Sequence, residues 1–324
     1  MPHYKHIRLH ARNKKRSLAL PIVLGILFFF IGSAASTLFF SGSAYDLLNQ
    51  LKSKIDGLQS VANAEPSNVI IHNSETPKLS TFTLFTPATG LLKPTDDSRM
   101  NFQLIPGLAV GSSHMSDEKV VYLTFDDGPS VNTQGVLDVL DKYHAKATFF
   151  VTGMNRKYFP LIKAAADKGH TIGLHTMSHD YAQLYSSVDA YFQDLEAIGN
   201  LVKEQIGYVP CFIRFPGGSS NTISANYTSG IMTQLTQDVV AKGYQYYDWN
   251  GDCTDGSGTL SPDQLYDAAL NAGGNNIVML LHDANAKETT VQALSRIIEH
   301  YQAQGYVFKG LDRESYAPHH SINN

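Results

Sequence analysis

The sequence predicts an α/β fold, an irregular barrel of seven parallel strands with helices between them. Two observations carry this prediction. From about Lys119 onward, apolar β-rich runs alternate with helical stretches, a pattern that implies a parallel sheet covered by helices. The chain has 324 residues, 43% of them hydrophobic, which is enough for one large core plus extensions. The formal net charge of −4 gives no indication of a nucleic-acid partner.

The N-terminal segment predicts a membrane anchor. Residues 1–17 contain six lysines and arginines and no acidic residue, and residues 18–40 carry no charge. About 20 apolar residues cross a bilayer core, and the basic cluster favours the cytoplasmic side. We therefore expect a cytoplasmic tail (1–17), a single transmembrane signal-anchor (18–40) and an extracytoplasmic remainder. A cleaved signal peptide, which would leave a secreted protein, is the alternative, but its apolar region is ordinarily about 7–15 residues long.

Two segments separate this anchor from the regular pattern. Residues 41–64 predict a juxtamembrane helix, because apolar residues recur there at alternating steps of three and four between Leu48 and Ala62. The repeat is too short to predict a coiled coil, so the oligomeric state stays open. Residues 65–117 contain repeated prolines among Ser, Thr and Asn, which predicts a linker or spacer.

The barrel strands are predicted in chain order from apolar runs at 119–125, 146–151, 170–174, 209–215, 244–248, 276–281 and 306–309. Helices are predicted between them, near 133–143, 159–168, 186–206, 228–242, 262–272 and 288–304. Local signals agree with these bounds. Gly169 and Gly243 follow helical runs as C-terminal capping glycines do, and Ser261-Pro262 is a helix-start pair.

The two cysteines, Cys211 and Cys253, are predicted to stay unpaired. An extracytoplasmic location would permit a disulfide. However, their positions relative to Arg214 and Asp248 place them toward opposite ends of the barrel.

Ionisable side chains follow five of the predicted strands. In barrels of parallel strands, reactive residues gather at the C-terminal strand ends. Here those ends carry Asp126-Asp127-Gly128-Pro129, His175-Thr176-Met177-Ser178-His179, Arg214-Phe215-Pro216-Gly217-Gly218, Asp248-Trp249-Asn250 and His282-Asp283. Each group alone is ambiguous: Asp-Asp-Gly-Pro is also a good turn, and His282 or Trp249 could be core residues.

Together these groups predict a catalytic metal site. The spacing of His175 and His179 suits two imidazoles on one face of a helical turn. Two histidines and one carboxylate make a three-ligand site with open positions, and a further carboxylate and histidine can serve as base and acid.

The motifs TFDDGP (124–129), HTMSH (175–179), RFPGG (214–218), DWN (248–250) and LLHD (280–283) resemble the five ordered motifs of the polysaccharide deacetylase family. This family is also called the NodB-homology domain or carbohydrate esterase family 4. The resemblance covers about residues 118–312 and predicts a catalytic domain over 118–314 with the family's irregular (β/α)₇ barrel. The N-terminal architecture resembles membrane-anchored peptidoglycan N-acetylglucosamine deacetylases of Gram-positive bacteria.

The resemblance implies a role for each matching residue. The general base would be Asp126, oriented by Arg214. One divalent ion would be held by Asp127, His175 and His179. The donor set favours zinc, with Co²⁺ or another divalent ion as the alternative. The acid would be His282, with a pKa raised by Asp248. Substrate contacts would come from the Gly217 N–H, Trp249 and the methyl pocket at Leu280.

Two departures from the family pattern leave these groups intact. Phe215 stands where many members have proline, and Thr176 stands where serine is common. The resemblance therefore implies an active enzyme that removes N-acetyl groups from N-acetylglucosamine units of a cell-surface polysaccharide, with peptidoglycan favoured. The alternatives are an O-deacetylase acting on acetylated xylan or another polymer, and a carbohydrate-binding pseudoenzyme. A structural wall protein would give no reason for the reactive strand ends.

Overall fold

The computed structural model describes residues 98–258 and 260–324. The predicted cytoplasmic tail, transmembrane segment and juxtamembrane helix, with most of the predicted linker, lie outside the described residues. Among the helices that are described, none has both the length and the apolar character needed to cross a bilayer.

The described part of the chain is built on a parallel sheet of eight strands. The strands are β1 (Val120–Asp126), β2 (Ala147–Thr152), β3 (Thr171–Thr176), β4 (Phe212–Ile213), β5 (Gln245–Tyr246), β6 (Gly251–Asp252), β7 (Asn276–His282) and β8 (Val307–Phe308). Their order in the sheet is β5-β4-β3-β2-β1-β7-β6, and β8 also pairs with β1. Seven are the predicted strands, and the sheet forms a half-barrel. The eighth strand, β6, was not predicted. It pairs with β7 and has two residues, too few to show the alternation of apolar residues that predicts a strand.

Helices connect the strands as predicted. They are α1 (Thr133–Lys142), α2 (Pro160–Asp167), α3 (Tyr181–Leu184), α4 (Val188–Ile206), α5 (Ile231–Ala241), α6 (Pro262–Ala269) and α7 (Glu288–Ala303). The short α3 is the one that sequence periodicity missed. Gly169 and Gly243 adopt positive φ values of 78° and 92° after α2 and α5. Ser261 forms a capping box with Gln264 at the start of α6.

The strands are buried on both faces, which explains their continuous apolar sequences. One face packs against the helices through residues such as Leu123, Phe125 and Ile277. The opposite face fills the barrel interior with a second cluster that includes Phe150 and Val278. Successive residues of a strand alternate between the two clusters. Polar side chains that continue the interior face at the ends of the strands therefore point into the same mouth of the barrel.

Part of the predicted spacer packs against this domain. Gln103 bridges Pro210, and Ser112 bridges Tyr316. The buried Arg313 guanidinium donates to carbonyls of this segment, including Met100 O at 2.7 Å. Residues 98–117 of the predicted linker therefore contact the domain, partly through the carbonyl groups that Arg313 binds, and the composition does not reveal these contacts.

Cys211 and Cys253 are both buried and unpaired, as predicted. Burial raises the pKa of the Cys211 thiol to about 12 and that of the Cys253 thiol still further. Both thiols are therefore protonated at neutral pH.

Candidate active site

Three predicted ligands converge at the mouth of the half-barrel. Asp127 follows β1, His175 lies in β3, and His179 lies three residues after β3 ends. The Nε2 atoms of His175 and His179 lie 3.5 and 3.2 Å from Asp127 Oδ1. The three candidate ligand atoms lie within 4.8 Å of one another. Parallel strands bring these residues together because their carboxyl ends share one edge.

The chemistry of these atoms fits a divalent cation. Asp127 Oδ1 is buried and has no hydrogen-bond partner. His175 uses Nδ1 to contact Arg214 O at 2.6 Å, which orients Nε2 toward the cluster. Burial lowers the pKa of His175, which favours the neutral imidazole that binds metal. Two ligands at about 2.0–2.1 Å from a tetrahedral ion stand roughly 3.3 Å apart, close to the observed separations.

The two histidines are not on one helical turn, and that prediction is wrong. His175 is part of β3, whereas His179 follows an irregular turn and has a φ of 52°. Asp127 also has a positive φ, 70°. Such values are uncommon outside glycine, and they redirect each side chain toward the barrel mouth.

The predicted base and its orienting arginine form a buried ion pair. Arg214 Nη1 donates to Asp126 Oδ1 at 2.9 Å, and Asp126 Oδ2 lies 4.0 Å from His175 Nε2. The guanidinium also donates to Thr124 Oγ1 and to the carbonyls of Tyr247 and Asp248. The guanidinium carbon lies over the Phe150 ring, 4.5 Å from its centroid. This network fixes the carboxylate beside the ligand cluster.

His282, the predicted acid, is paired with Asp255. The imidazole Nδ1 contacts Asp255 Oδ1 at 2.7 Å, and the His282 backbone N–H donates to Oδ2 at 2.8 Å. Burial opposes protonation of His282, but the hydrogen bond and charge of Asp255, with smaller contributions from Asp126 and Asp127, raise its pKa to about 9. The imidazolium form is therefore populated at neutral pH.

Asp248 does not occupy the predicted place beside the acid. Its carboxylate accepts hydrogen bonds from the Ser219 N–H, the Ser219 hydroxyl and the His320 N–H. Asp255 follows the short β6, which the sequence does not reveal, so its approach to His282 was missed. Residues 251–258 contain two aspartates, Asp252 and Asp255, and the sequence does not indicate which of them contacts His282. The pairing of β6 with β7 places Asp255 there.

The predicted substrate residues lie near this rim. Gly217 is exposed with a φ of 76°, and a Cβ there would stand 2.8 Å from the Tyr181 hydroxyl. Trp249 is half-buried, and its ring contacts His320 at 4.8 Å between centroids. Leu280 is paired with Thr124 on β1, two residues before His282 and on the same strand face. The geometry is compatible with a groove bounded by these residues.

The Asp283 side chain packs against Gly128, in the turn that follows Asp127. Its side chain is fully buried, with Oδ2 accepting from Thr133 Oγ1 at 2.5 Å. A Cβ on Gly128 would stand 2.3 Å from both carboxylate oxygens, so glycine is required there. Burial raises the pKa of Asp283 to about 7, reinforced by the nearby charges of Asp127 and Asp126.

Comparison with known proteins agrees with these features. The sequence profile of the polysaccharide deacetylase family matches residues 114–233. A peptidoglycan-N-acetylglucosamine deacetylase of Bacillus cereus is 34% identical over 209 residues, which is 62% of this chain and 72% of that protein. A bifunctional xylanase/deacetylase of Pseudobutyrivibrio xylanivorans is 30% identical over 63% of this chain and 34% of its own length.

Among solved structures, the catalytic domain of a peptidoglycan N-acetylglucosamine deacetylase from Eubacterium rectale superimposes with a TM-score of 0.64. It is 45% identical and covers 67% of this chain and 99% of that domain. The extent and identity of these matches confirm the resemblance carried by the five motifs. The chain belongs to the polysaccharide deacetylase family, carbohydrate esterase family 4, and is a hydrolase of that family.

Proposed function

We propose that this protein removes N-acetyl groups from N-acetylglucosamine units of a cell-surface polysaccharide, with peptidoglycan as the substrate. The observation that carries the proposal is the meeting, at one barrel mouth, of a ligand cluster, a carboxylate paired with arginine and a histidine paired with Asp255. The Bacillus cereus and Eubacterium rectale relatives bear names that specify this reaction.

The metal would be held by Asp127 Oδ1 and the Nε2 atoms of His175 and His179. A divalent ion in this place supplies Lewis-acid polarisation of the acetyl carbonyl oxygen. Two histidines and one carboxylate favour zinc, and Co²⁺ or another divalent ion is compatible with the same donors.

Asp126 acts as the general base. Its carboxylate takes a proton from the water whose oxygen forms a bond to the acetyl carbon. Arg214 aims this carboxylate through a hydrogen bond from Nη1, and it is the buried group of opposite charge beside Asp126. The Gly217 N–H donates to the carbonyl oxygen as negative charge develops there.

His282 completes the reaction as the general acid. Its imidazolium gives a proton to the sugar nitrogen as the carbon–nitrogen bond breaks, which releases acetate and a glucosamine unit. Asp255 keeps the proton on His282 until that step. Leu280 borders the space for the acetyl methyl group, and Trp249 offers an apolar face to a sugar ring.

Acetate release by the purified full-length protein tests this proposal. Peptidoglycan, chitin oligomers and acetylated xylan are compared, before and after chelation, and again after Zn²⁺ or Co²⁺ is restored. We expect metal-dependent release from the N-acetylated polymers and its loss in Asp126→Asn. Faster release from acetylated xylan would instead support O-deacetylation, and the absence of release with metal bound would support a carbohydrate-binding role.

We also propose that the catalytic domain acts outside the cell while residues 18–40 hold it to the membrane. The basic residues 1–17 beside an uncharged segment support this topology. Full-length protein in membrane fractions should resist carbonate extraction and be digested by protease added to intact protoplasts. Release of the protein into the medium would indicate a cleaved signal peptide.

A further inference from the structure

The turn between the two histidine ligands has its backbone N–H groups bound by side chains. The Met177 N–H donates to Asp194 Oδ1 at 2.6 Å, and the Ser178 N–H donates to Asp194 Oδ2 at 3.0 Å. The next N–H, that of His179, donates to Thr176 Oγ1 at 3.1 Å. Three consecutive peptide groups are therefore oriented before the second histidine ligand is reached.

Asp194 reaches this turn from α4, outside the ligand cluster. The residue is 4% exposed, so its carboxylate is removed from bulk water. A buried carboxylate needs partners, and hydrogen bonds to an ionised acceptor are short and strong. Each of its two oxygens accepts a hydrogen bond from one of two adjacent peptide groups, so two hydrogen bonds connect α4 to the turn.

The conformation of His179 requires such support. Its φ of 52° lies in the left-handed region, which non-glycine residues occupy only where the surrounding structure imposes it. His175 is fixed independently, by the pairing of β3 and by the contact of Nδ1 with Arg214 O. The placement of His179 Nε2, 3.2 Å from Asp127 Oδ1, depends on the turn.

We propose that Asp194 is a positioning residue for the metal site. Its carboxylate holds the 177–178 peptide groups so that the His179 ring meets Asp127 and His175 before the cation arrives. This inference rests on the metal site of the proposed function. Asp194 acts through His179 and is not itself a ligand.

Metal titration of Asp194→Asn tests the inference. The amide replaces one of the two acceptor oxygens by an NH₂ group, so in the same side-chain position one of the two turn N–H groups faces a donor. We expect the dissociation constant for Zn²⁺ or Co²⁺ alone, measured by calorimetry on metal-free full-length protein, to rise about 10–100-fold. The visible absorption bands of bound Co²⁺ should also change, because they report the geometry of the ligands.

Asp180→Asn is the matched control. Asp180 is exposed, directly follows His179 and accepts the Ala182 and Gln183 N–H groups at the start of α3. Asparagine keeps this cap, so the variant removes one charge close to the site without releasing the 177–178 turn. Unchanged metal affinity is expected. Equal weakening in the two variants would overturn the inference in favour of a general effect of charge.

A second variant covers the case in which Asp194→Asn does not fold. Thr176→Val removes the oxygen that accepts the His179 N–H while preserving side-chain shape, and weakened Co²⁺ binding with altered absorption bands is expected. If Asp194→Asn folds, unchanged metal affinity in that variant would overturn the inference. If it does not fold, unchanged metal affinity in Thr176→Val would overturn the inference, because His179 would then not need a turn held by side chains. Wild-type protein that binds no metal would instead overturn the proposed site on which it rests.

Discussion

At the scale of single residues, the proposed base and the proposed acid are each paired with one buried group of opposite charge. Arg214 is fully buried and accompanies Asp126, and Asp255 is 1% exposed and accompanies His282. In the proposed reaction, the first pair orients the base Asp126, and the second keeps the acid His282 protonated. Removal of Asp255 should change the pH dependence of the reaction, and removal of Arg214 should change the free energy of unfolding.

Asp255→Asn should move the alkaline limb of the kcat profile to lower pH. The pKa of His282 is raised to about 9, and its acid form is present below that pKa and lost as pH rises through it. Without the Asp255 charge, burial acts in the opposite direction, so the active form is lost earlier. Asp248→Asn is the comparison, and its alkaline limb should stay in place. The same displacement in Asp248→Asn would contradict this assignment of the pair.

Arg214→Met should lower the free energy of unfolding by about 3–5 kcal/mol, because it leaves the Asp126 charge buried without its partner. Urea denaturation of the metal-free protein measures the loss, and acetate release should fall with it. Arg296→Met removes an ion pair with Asp263 whose side chains are 46% and 79% exposed, so a change below about 1 kcal/mol is expected. Similar losses in both variants would disagree with the burial argument.

At the scale of elements, β2 and β3 pack closely where Phe150 is paired with Gly173. Gly173 lies in β3 against the fully buried Phe150 of β2. The same Phe150 ring supports the Arg214 guanidinium at 4.5 Å. The lack of a side chain at Gly173 therefore permits the packing on which the arginine rests.

Gly173→Ala should lower the free energy of unfolding by about 1–3 kcal/mol and reduce activity, because overpacking displaces buried groups. The added Cβ would stand 2.5 Å from the Phe150 ring. At Gly273 a Cβ meets nothing within 4 Å and the φ is ordinary, so Gly273→Ala should be neutral or slightly stabilising. Denaturant midpoints compare the two, and a neutral Gly173→Ala would show that Phe150 can move freely.

At the scale of the whole domain, the C-terminal tail packs against the edge of the half-barrel at β5. The Pro318 carbonyl accepts the Asp248 N–H, and His320 caps the Asp248 carboxylate. The His319 ring stacks on Tyr246 of β5 at 3.9 Å. The tail beyond residue 314 thus belongs to the folded domain and borders Trp249.

Deletion of residues 317–324 should lower the free energy of unfolding by about 1–3 kcal/mol, because a buried carboxylate loses a hydrogen-bond donor. It should also raise KM, since Trp249 loses the neighbouring His320. Deletion of 321–324 alone removes exposed residues and should leave both quantities unchanged. Thermal unfolding and acetate-release kinetics measure these effects. Identical behaviour of the two truncations would mean that the 317–320 segment contributes nothing to the domain.

The sequence by itself determined the seven main strands, the helices longer than one turn and the five reactive strand ends. Those features depend on local periodicity and on the rule that parallel strands share one carboxyl edge. The shared edge predicts that Asp127, His175 and His179 lie together, and the family resemblance pairs Asp126 with Arg214. In the structure both groups are in contact. The predictions that the described residues do not cover stay predictions.

Only the tertiary structure decided which partners the reactive groups use. Asp255 rather than Asp248 meets His282, because two residues of β6 pair with β7 and leave no periodic signal in the sequence. His179 reaches the site through a left-handed turn held by Asp194 from α4, which no local spacing reveals. Local patterns specify elements, whereas these hydrogen bonds join residues that meet only after the strands and helices have packed.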